Sequence, residues 1–421
     1  MRGYGKPSPD SEVLGCLVLL LVLSAVLSVG VPVAQAENTT THDAEDGLPT
    51  TIEDIDELPE VEGATTTTAA VNTAETVVVE ARDELTPERL DELRSKGASV
   101  ESTHDRLVKV EIDGEVTKYT ELPWVENVRP PLRPVPKTLG DGAESIGAEE
   151  AHEMGVTGDG ASVAVIDIGF NPDNERIADN VVEQKTFGTG SIGANQPRHG
   201  TASAEMVVDV APDAELYLAS VSTSIGYMNA VDWATQNDVD VITASIGFQG
   251  LPNDGTSDVS RESDDAVEDG AVFTASSGNS ARLHWQGSFS DTRGNDLLEF
   301  GSGDYEVNFF TDRNGNPTEI PAGSVLDVVT TWDDWESVNS NYNLHLVRVG
   351  SPGGQPQIVR SADSDATGFR PVKRITAQAP QNGFYGVVVE QTKGTDETVE
   401  IFASSTCPTQ GYSTTHPRVA S

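Results

Sequence analysis

Three side chains far apart along the chain have the types and local settings that acyl-transfer chemistry needs. Asp167 closes a strand-like run, Val163-Ala164-Val165-Ile166-Asp167, and Gly169 follows it closely. His199 opens a helix-like run with Gly200 and Thr201 directly behind it. Asn279 follows a second strand-like run, Ala271 to Gly278. A histidine at a helix start beside small residues suits a general base that must reach a neighbouring hydroxyl. A strand-end carboxylate can fix the imidazole tautomer, and an amide N–H can steady a developing oxyanion. Singly, Asp167 reads as a loop carboxylate and His199 as a surface helix cap. Their order and contexts together favour nucleophilic catalysis, which requires a fourth member, a serine.

The elements that must position these groups are legible around them. Between residues 160 and 279, near-continuous apolar or β-branched runs (SVAVIDI, AELYLASV, VDVITASIG, AVFTASS) alternate with helix-like segments. Strands buried on both faces and joined by helices imply an α/β doubly wound parallel sheet. Ligands on such a sheet bind beyond the carboxyl ends of the strands, where Asp167 and Asn279 fall.

The flanks differ in kind. Residues 1–36 carry Arg2 and Lys6, an apolar run from Gly15 to Val31, and Ala34-Gln35-Ala36, the pattern of a secretory signal peptide. Export is expected, with no membrane span left after signal removal. Cys16 lies inside that segment, so Cys407 would stand alone in a mature chain. Residues 37–73 are rich in Thr and acid, with Thr65 to Thr68 in a row, and read as a disordered linker. Residues 74–136 suggest a small α+β unit, with Thr86 capping a helix that has Pro87 at its first position. Residues 137–284 hold the parallel sheet. Residues 285–406 are short strands between Gly, Pro, Asn and Asp clusters, as in an antiparallel β-sandwich, and 407–421 are an irregular tail.

With 68 acidic against 26 basic residues the net charge is −42. Phosphate backbones would be repelled, which argues against a nucleic-acid partner. The carboxylates are spread along the chain, a balance that suits high salt, where ions screen self-repulsion.

Residues from about 138 to 279 resemble the subtilisin-like serine proteases, on four motifs. These are Val163 to Gly169; His199-Gly200-Thr201 continuing to Val210-Ala211-Pro212; Ala244-Ser245-Ile246-Gly247; and Ser277-Gly278-Asn279. The resemblance implies secreted endopeptidase activity on polypeptide substrates. It makes Asp167 and His199 the acid and base of a Ser-His-Asp triad and Asn279 the oxyanion donor. It also makes Ser245, Ile246 and Gly247 the strand that pairs with extended substrate. Residues 75–136 resemble the family's pro-region, an intramolecular inhibitor and chaperone, with a cut expected near Pro130 to Thr138. Residues 285–406 resemble a pre-peptidase C-terminal β-domain, inserted where the catalytic domain should continue.

The departure from the family is the serine element, a Gly-Thr-Ser opening a long helix. One fragment is similar, Gly411-Tyr412-Ser413-Thr414-Thr415-His416-Pro417, with tyrosine in place of threonine. Ser413 is therefore the candidate nucleophile, against loss of the reading frame near Cys407. No cofactor is assigned, and calcium is the candidate ion. Asn253, Asp254 and Asp258, or Asp312 to Asn316, are candidate calcium ligands. His104, His152, His284 and His345 show no metal-ligand spacing. The alternative function is a non-catalytic secreted protein whose sandwich binds a surface, a polysaccharide or another protein.

Overall fold

The computed structural model describes residues 48–61, 75–112, 116–136, 146–189, 191–193, 198–252, 254–278, 280, 283–301, 305–312, 315–367, 370–406 and 418–419. The export segment 1–36, Asn279 and Ser413 lie outside the described residues. Two compact units emerge, one from residues 73–248 and 253–278, the other from 36–72, 249–252 and 279–421. The passage between them falls at residues 278–279, a few residues before the expected boundary at 284–285.

The first unit opens with strand β1 (Glu75–Ala81), helix α1 (Pro87–Ser95), β2 (Ala98–His104), β3 (Leu107–Ile112), the short α2 (Thr117–Thr120) and β4 (Val125–Arg129). Their sheet has the order β2-β3-β1-β4. The Thr86 hydroxyl accepts the Arg89 N–H and Pro87 occupies the first turn of α1, while Gly97, at φ +92°, lets the chain turn out of it.

After β5 (Val135–Pro136) and α3 (Ala148–Glu153) comes the parallel sheet. It is built from β6 (Ser162–Asp167), β8 (Val181–Phe187), β10 (Glu215–Val221), β11 (Val241–Ala244) and β13 (Val272–Ala275), with β7 (Gly169–Phe170), β9 (Ser191–Ile192) and β12 (Ile246–Gly247) as short accessory strands. The order is β13-β11-β6-β10-β8, every pairing parallel. Central β6 explains the continuous apolar run. Val163 and Val165 enter one core with Ala204 and Val207 of helix α4 (Arg198–Val210). Ala164 and Ile166 enter another with Ile225, Met228 and Val231 of α5 (Ser224–Gln236) and Ala266 of α6 (Asp258–Glu268). Both faces are covered, and each large aliphatic side chain so buried contributes about 1.5–3 kcal/mol. The chain runs from β6 out to β8 and back through β10, then crosses to β11 on the other side. The carboxyl end of β6 is thus the switch point of the sheet.

The second unit has two antiparallel sheets. One comprises 284–288, 398–406, 325–332 and 372–378 in that order. The other runs 357–362, 341–349, 383–393, 308–311 and 418–419, with 319–320 also on 383–393. They share one core, in which Trp332 and Ile401 of the first sheet meet Tyr342, Leu344, Phe310 and Val387 of the second.

Residues 48–61 correct the linker reading over their length. Leu48, Ile52 and Ile55 are buried with Val307, Phe309, Val347, Val349 and Val388, on the face of the second sheet opposite the shared core. Val61 enters the shared core itself. Spacing among acids and Thr conceals these four apolar anchors. Among the described residues no helix is long and apolar enough to cross a membrane.

Candidate active site

Asp167 ends β6 with its carboxylate fully buried. Three donors satisfy it: the Ile168 N–H at 2.7 Å, the Ser203 hydroxyl at 3.1 Å and the His199 Nδ1, 2.8 Å from Oδ2 and 2.9 Å from Oδ1. An unpaired buried carboxylate would be costly, and these donors satisfy it and fix its position. It also lies against the first turn of α4, where the backbone dipole favours negative charge.

The helix reaches this position because of its third and fourth residues. A Cβ on Gly200 would collide with the Gly169 carbonyl oxygen and sit 2.8 Å from the Asp167 Cβ, so only glycine permits the approach. The Thr201 hydroxyl accepts the Asn171 N–H at 2.8 Å, tying the loop after β7 to the same turn. His199 is thereby held by its Nδ1 with its side chain still 19% exposed. An Nδ1–H donated to this carboxylate would leave Nε2 as the ring nitrogen able to accept a proton, the arrangement a general base needs.

Ser203 is the site residue that sequence reasoning missed. It is four residues beyond His199 and therefore on the same helix face. Its hydroxyl sits 3.2 Å from the His199 carbonyl oxygen as well as near Asp167. The i,i+4 spacing of a hydroxyl behind the histidine was the available signal.

Ser245 lies between β11 and β12. Ile246 and Gly247 form a two-stranded antiparallel ladder with Pro136 and Val135 of the same chain. The Ser224 N–H donates to the Leu132 carbonyl at 3.1 Å. The strand expected to hold an extended substrate thus holds residues 135–136. Gly278, at φ +93°, marks the sharp turn after β13.

The four-stranded sheet carries its own set of polar anchors. Val78 and Leu107 join the core of α5 and α6. His104 Nε2 is 2.7 Å from Glu262, and its Nδ1 is 3.1 Å from the Asn229 side-chain oxygen and 3.6 Å from Asp232. Burial alone would lower the His104 pKa, but the Glu262 hydrogen bond and charge outweigh it and raise it to about 9. Burial raises Glu262 against the pull of His104. The imidazolium–carboxylate pair is the form that fits both nitrogens having acceptors. His104, Asp232 and Glu262 have ligand atoms within 4.8 Å of one another, a gathering from three distant segments that spacing could not reveal.

The remaining described histidines have local partners: His152 Nε2 lies 2.9 Å from the Val210 carbonyl, His345 pairs with Ser361 and Glu390, and His284 stacks on Phe402. The candidate calcium ligands are engaged by their own chain. Asp254 accepts from Thr256, Asp258 pairs with Arg261 and Arg106, and Asp312 accepts the Asn316 N–H. Asn253 lies outside the described residues.

Residues 158–332 match the model of the subtilase family, peptidase S8. The chain is 34% identical to subtilisin E of Bacillus subtilis strain 168 over 154 residues, 33% of this chain and 39% of that protein. It is 32% identical to the minor extracellular protease Vpr of the same strain over 171 residues, 35% of this chain and 21% of that one. The chain therefore spans well under half the length of these relatives. Among solved structures, the epidermin leader peptide processing serine protease of Staphylococcus aureus aligns over 48% of this chain and 60% of that one, at 10% identity and a TM-score of 0.34.

Proposed function

We propose that this chain, a subtilase-family protein through residues 158–332, acts as an exported serine endopeptidase precursor that hydrolyses polypeptides by Ser-His-Asp acyl transfer. The observation that carries the reading is the His199 Nδ1 seated 2.8 Å from a fully buried Asp167 at the switch point of a parallel sheet. In this reading His199 takes the proton of a serine hydroxyl and returns it to the leaving amine. Asp167 and Ser203 keep the ring in the productive tautomer. Asn279 donates to the oxyanion, a role whose loss costs subtilisin itself about 3–4 kcal/mol of transition-state stabilisation. Ser413 is the nucleophile.

The N-terminal sheet and residues 130–136 act as the pro-region in this reading, because the backbone of residues 135–136 already pairs with the strand that would receive substrate. A chain cut behind Pro136 frees that strand, so the precursor is a zymogen. Export follows from the Arg2, Lys6 and Gly15–Val31 pattern, and function in high salt from the net charge of −42.

The test is labelling of the secreted protein, in high salt, with a serine-directed phosphonate. Labelling of the wild type that is abolished in both Ser413→Ala and His199→Ala supports the reading. Labelling that survives Ser413→Ala moves the nucleophile elsewhere, and undiminished labelling in His199→Ala removes the catalytic assignment.

A further inference from the structure

We infer that the outer face of the second unit's larger sheet is a docking site for a peptide segment, filled in cis by residues 48–61. It would keep the N-terminal part of the chain attached after the chain is cut.

The receptor is built for backbone as well as side chains. Leu48, Ile52 and Ile55 are buried against Val347, Val349 and Val388, while Val61 enters the core between the sheets. Glu60 forms a parallel bridge to Ile358, with the Val61 N–H on the Ile358 carbonyl and the Ile358 N–H on the Pro59 carbonyl, both at 2.9 Å. These bonds occupy the edge strand 357–362, whose free backbone groups would otherwise invite pairing. At the other end the Glu306 N–H donates to the Thr50 carbonyl at 2.7 Å.

Glu306 is the most specific feature. Its carboxylate is fully buried. One oxygen accepts the Ile52 N–H at 2.6 Å, and the other accepts from Asn295 at 2.9 Å and faces Arg293 Nε at 3.2 Å. Asn295 also donates to the Ile52 carbonyl at 3.0 Å. Ile52 therefore has both backbone groups read by buried or half-buried polar side chains, as an extended peptide is read by a recognition groove. If the peptide left, Glu306 would lose the Ile52 N–H that satisfies one of its carboxylate oxygens.

The consequence for the processed protein rests on the proposed cut near residues 130–138. Residues 48–61 are continuous in sequence with the four-stranded sheet, so that cut would leave a two-chain particle rather than a released fragment.

The docking is tested without using the protein's own activity. In full-length His199→Ala protein, Thr65 to Thr68 are replaced by a site for an added sequence-specific endopeptidase, and the cut protein is passed through gel filtration in high salt. The expected result is that the N-terminal piece co-elutes with the remainder. Ile52→Asp should weaken retention by roughly tenfold or more, as expected when a charge replaces a buried aliphatic anchor. Glu306→Gln, which keeps the shape of the receptor, should do so less. A free synthetic peptide of residues 47–62 should displace the piece. Release from the wild type while its near-ultraviolet dichroism stays native would overturn the proposal, as would equal retention by Ile52→Asp. Failure here leaves the peptidase reading intact, and failure of phosphonate labelling leaves the docking result intact.

Discussion

The N-terminal part of the chain is held in two regions by opposite means. On the first unit, β2 and β3 rest on α5 and α6 with their distinctive contacts carried by charge: His104 with Glu262, Arg106 with Asp258. On the second unit, residues 48–61 lie on a sheet through four buried aliphatic side chains and backbone bonds at Thr50, Pro59 and Val61. A charge contact weakens with protonation state and with salt, whereas apolar burial does neither and is strengthened by excluded salts. One attachment is therefore built to respond to conditions and the other to persist through them. The proposed catalytic pair stands between these extremes, because Asp167 and His199 combine a polar contact with burial, and Gly200 permits their close approach.

The largest expected effect lies at that pair. Asp167→Asn should lower turnover about 10,000-fold, the magnitude found when a triad aspartate becomes an amide and the wrong tautomer results, measured as kcat on an unfolded polypeptide. Gly200→Ala should cost about 1–3 kcal/mol by overpacking, read as a fall in Tm, and should reduce activity too because the added methyl displaces the turn that carries His199.

Between the two attachments, Ile52→Ala should loosen residues 48–61 by about 2–5 kcal/mol, seen as faster amide exchange at Val61 and Ile358. Glu262→Gln should weaken the β2–α6 contact by about 1.5–3 kcal/mol, seen as exchange in β2 and β3. The pH dependence separates them further. His104 has a folded pKa raised to about 9, so its stabilisation is complete below the ordinary imidazole value and is lost as the pH rises through about 9. Protection of the β2 amides, corrected for base-catalysed intrinsic exchange, should fall across that window while protection at Ile358 stays constant. Equal responses at both places would erase the distinction. The smallest effect belongs to Arg106, whose side chain is 30% exposed; Arg106→Gln should cost about 0.5 kcal/mol.

Much of the first unit was legible in the sequence because its signals are local. The runs at 162–167, 215–221 and 241–244 are apolar on successive residues, which only a sheet covered on both faces explains, and Thr86-Pro87 announces a helix start. The aspartate and histidine motifs stood at a strand end and a helix start, where the structure brings them together. What escaped reading depends on partners distant in sequence. Ser203 looks like any small helical residue until the Asp167 carboxylate is placed beside it. His104 meets Glu262, 158 positions further along the chain, only once the chain has folded. Residues 48–61 look too acidic to be ordered, since their four anchors gain burial only from a sheet hundreds of residues further along the chain. A clue was present in Val387-Val388-Val389, for an antiparallel strand with one wet face would alternate.

The measurement closest to the central claim is hydrolysis of an unfolded polypeptide in high salt by the purified protein and its His199→Ala variant, matched for folding by dichroism. A collapse of turnover to background in the variant is the outcome expected if the imidazole on Asp167 is the working base. Turnover equal to the wild type would contradict that account.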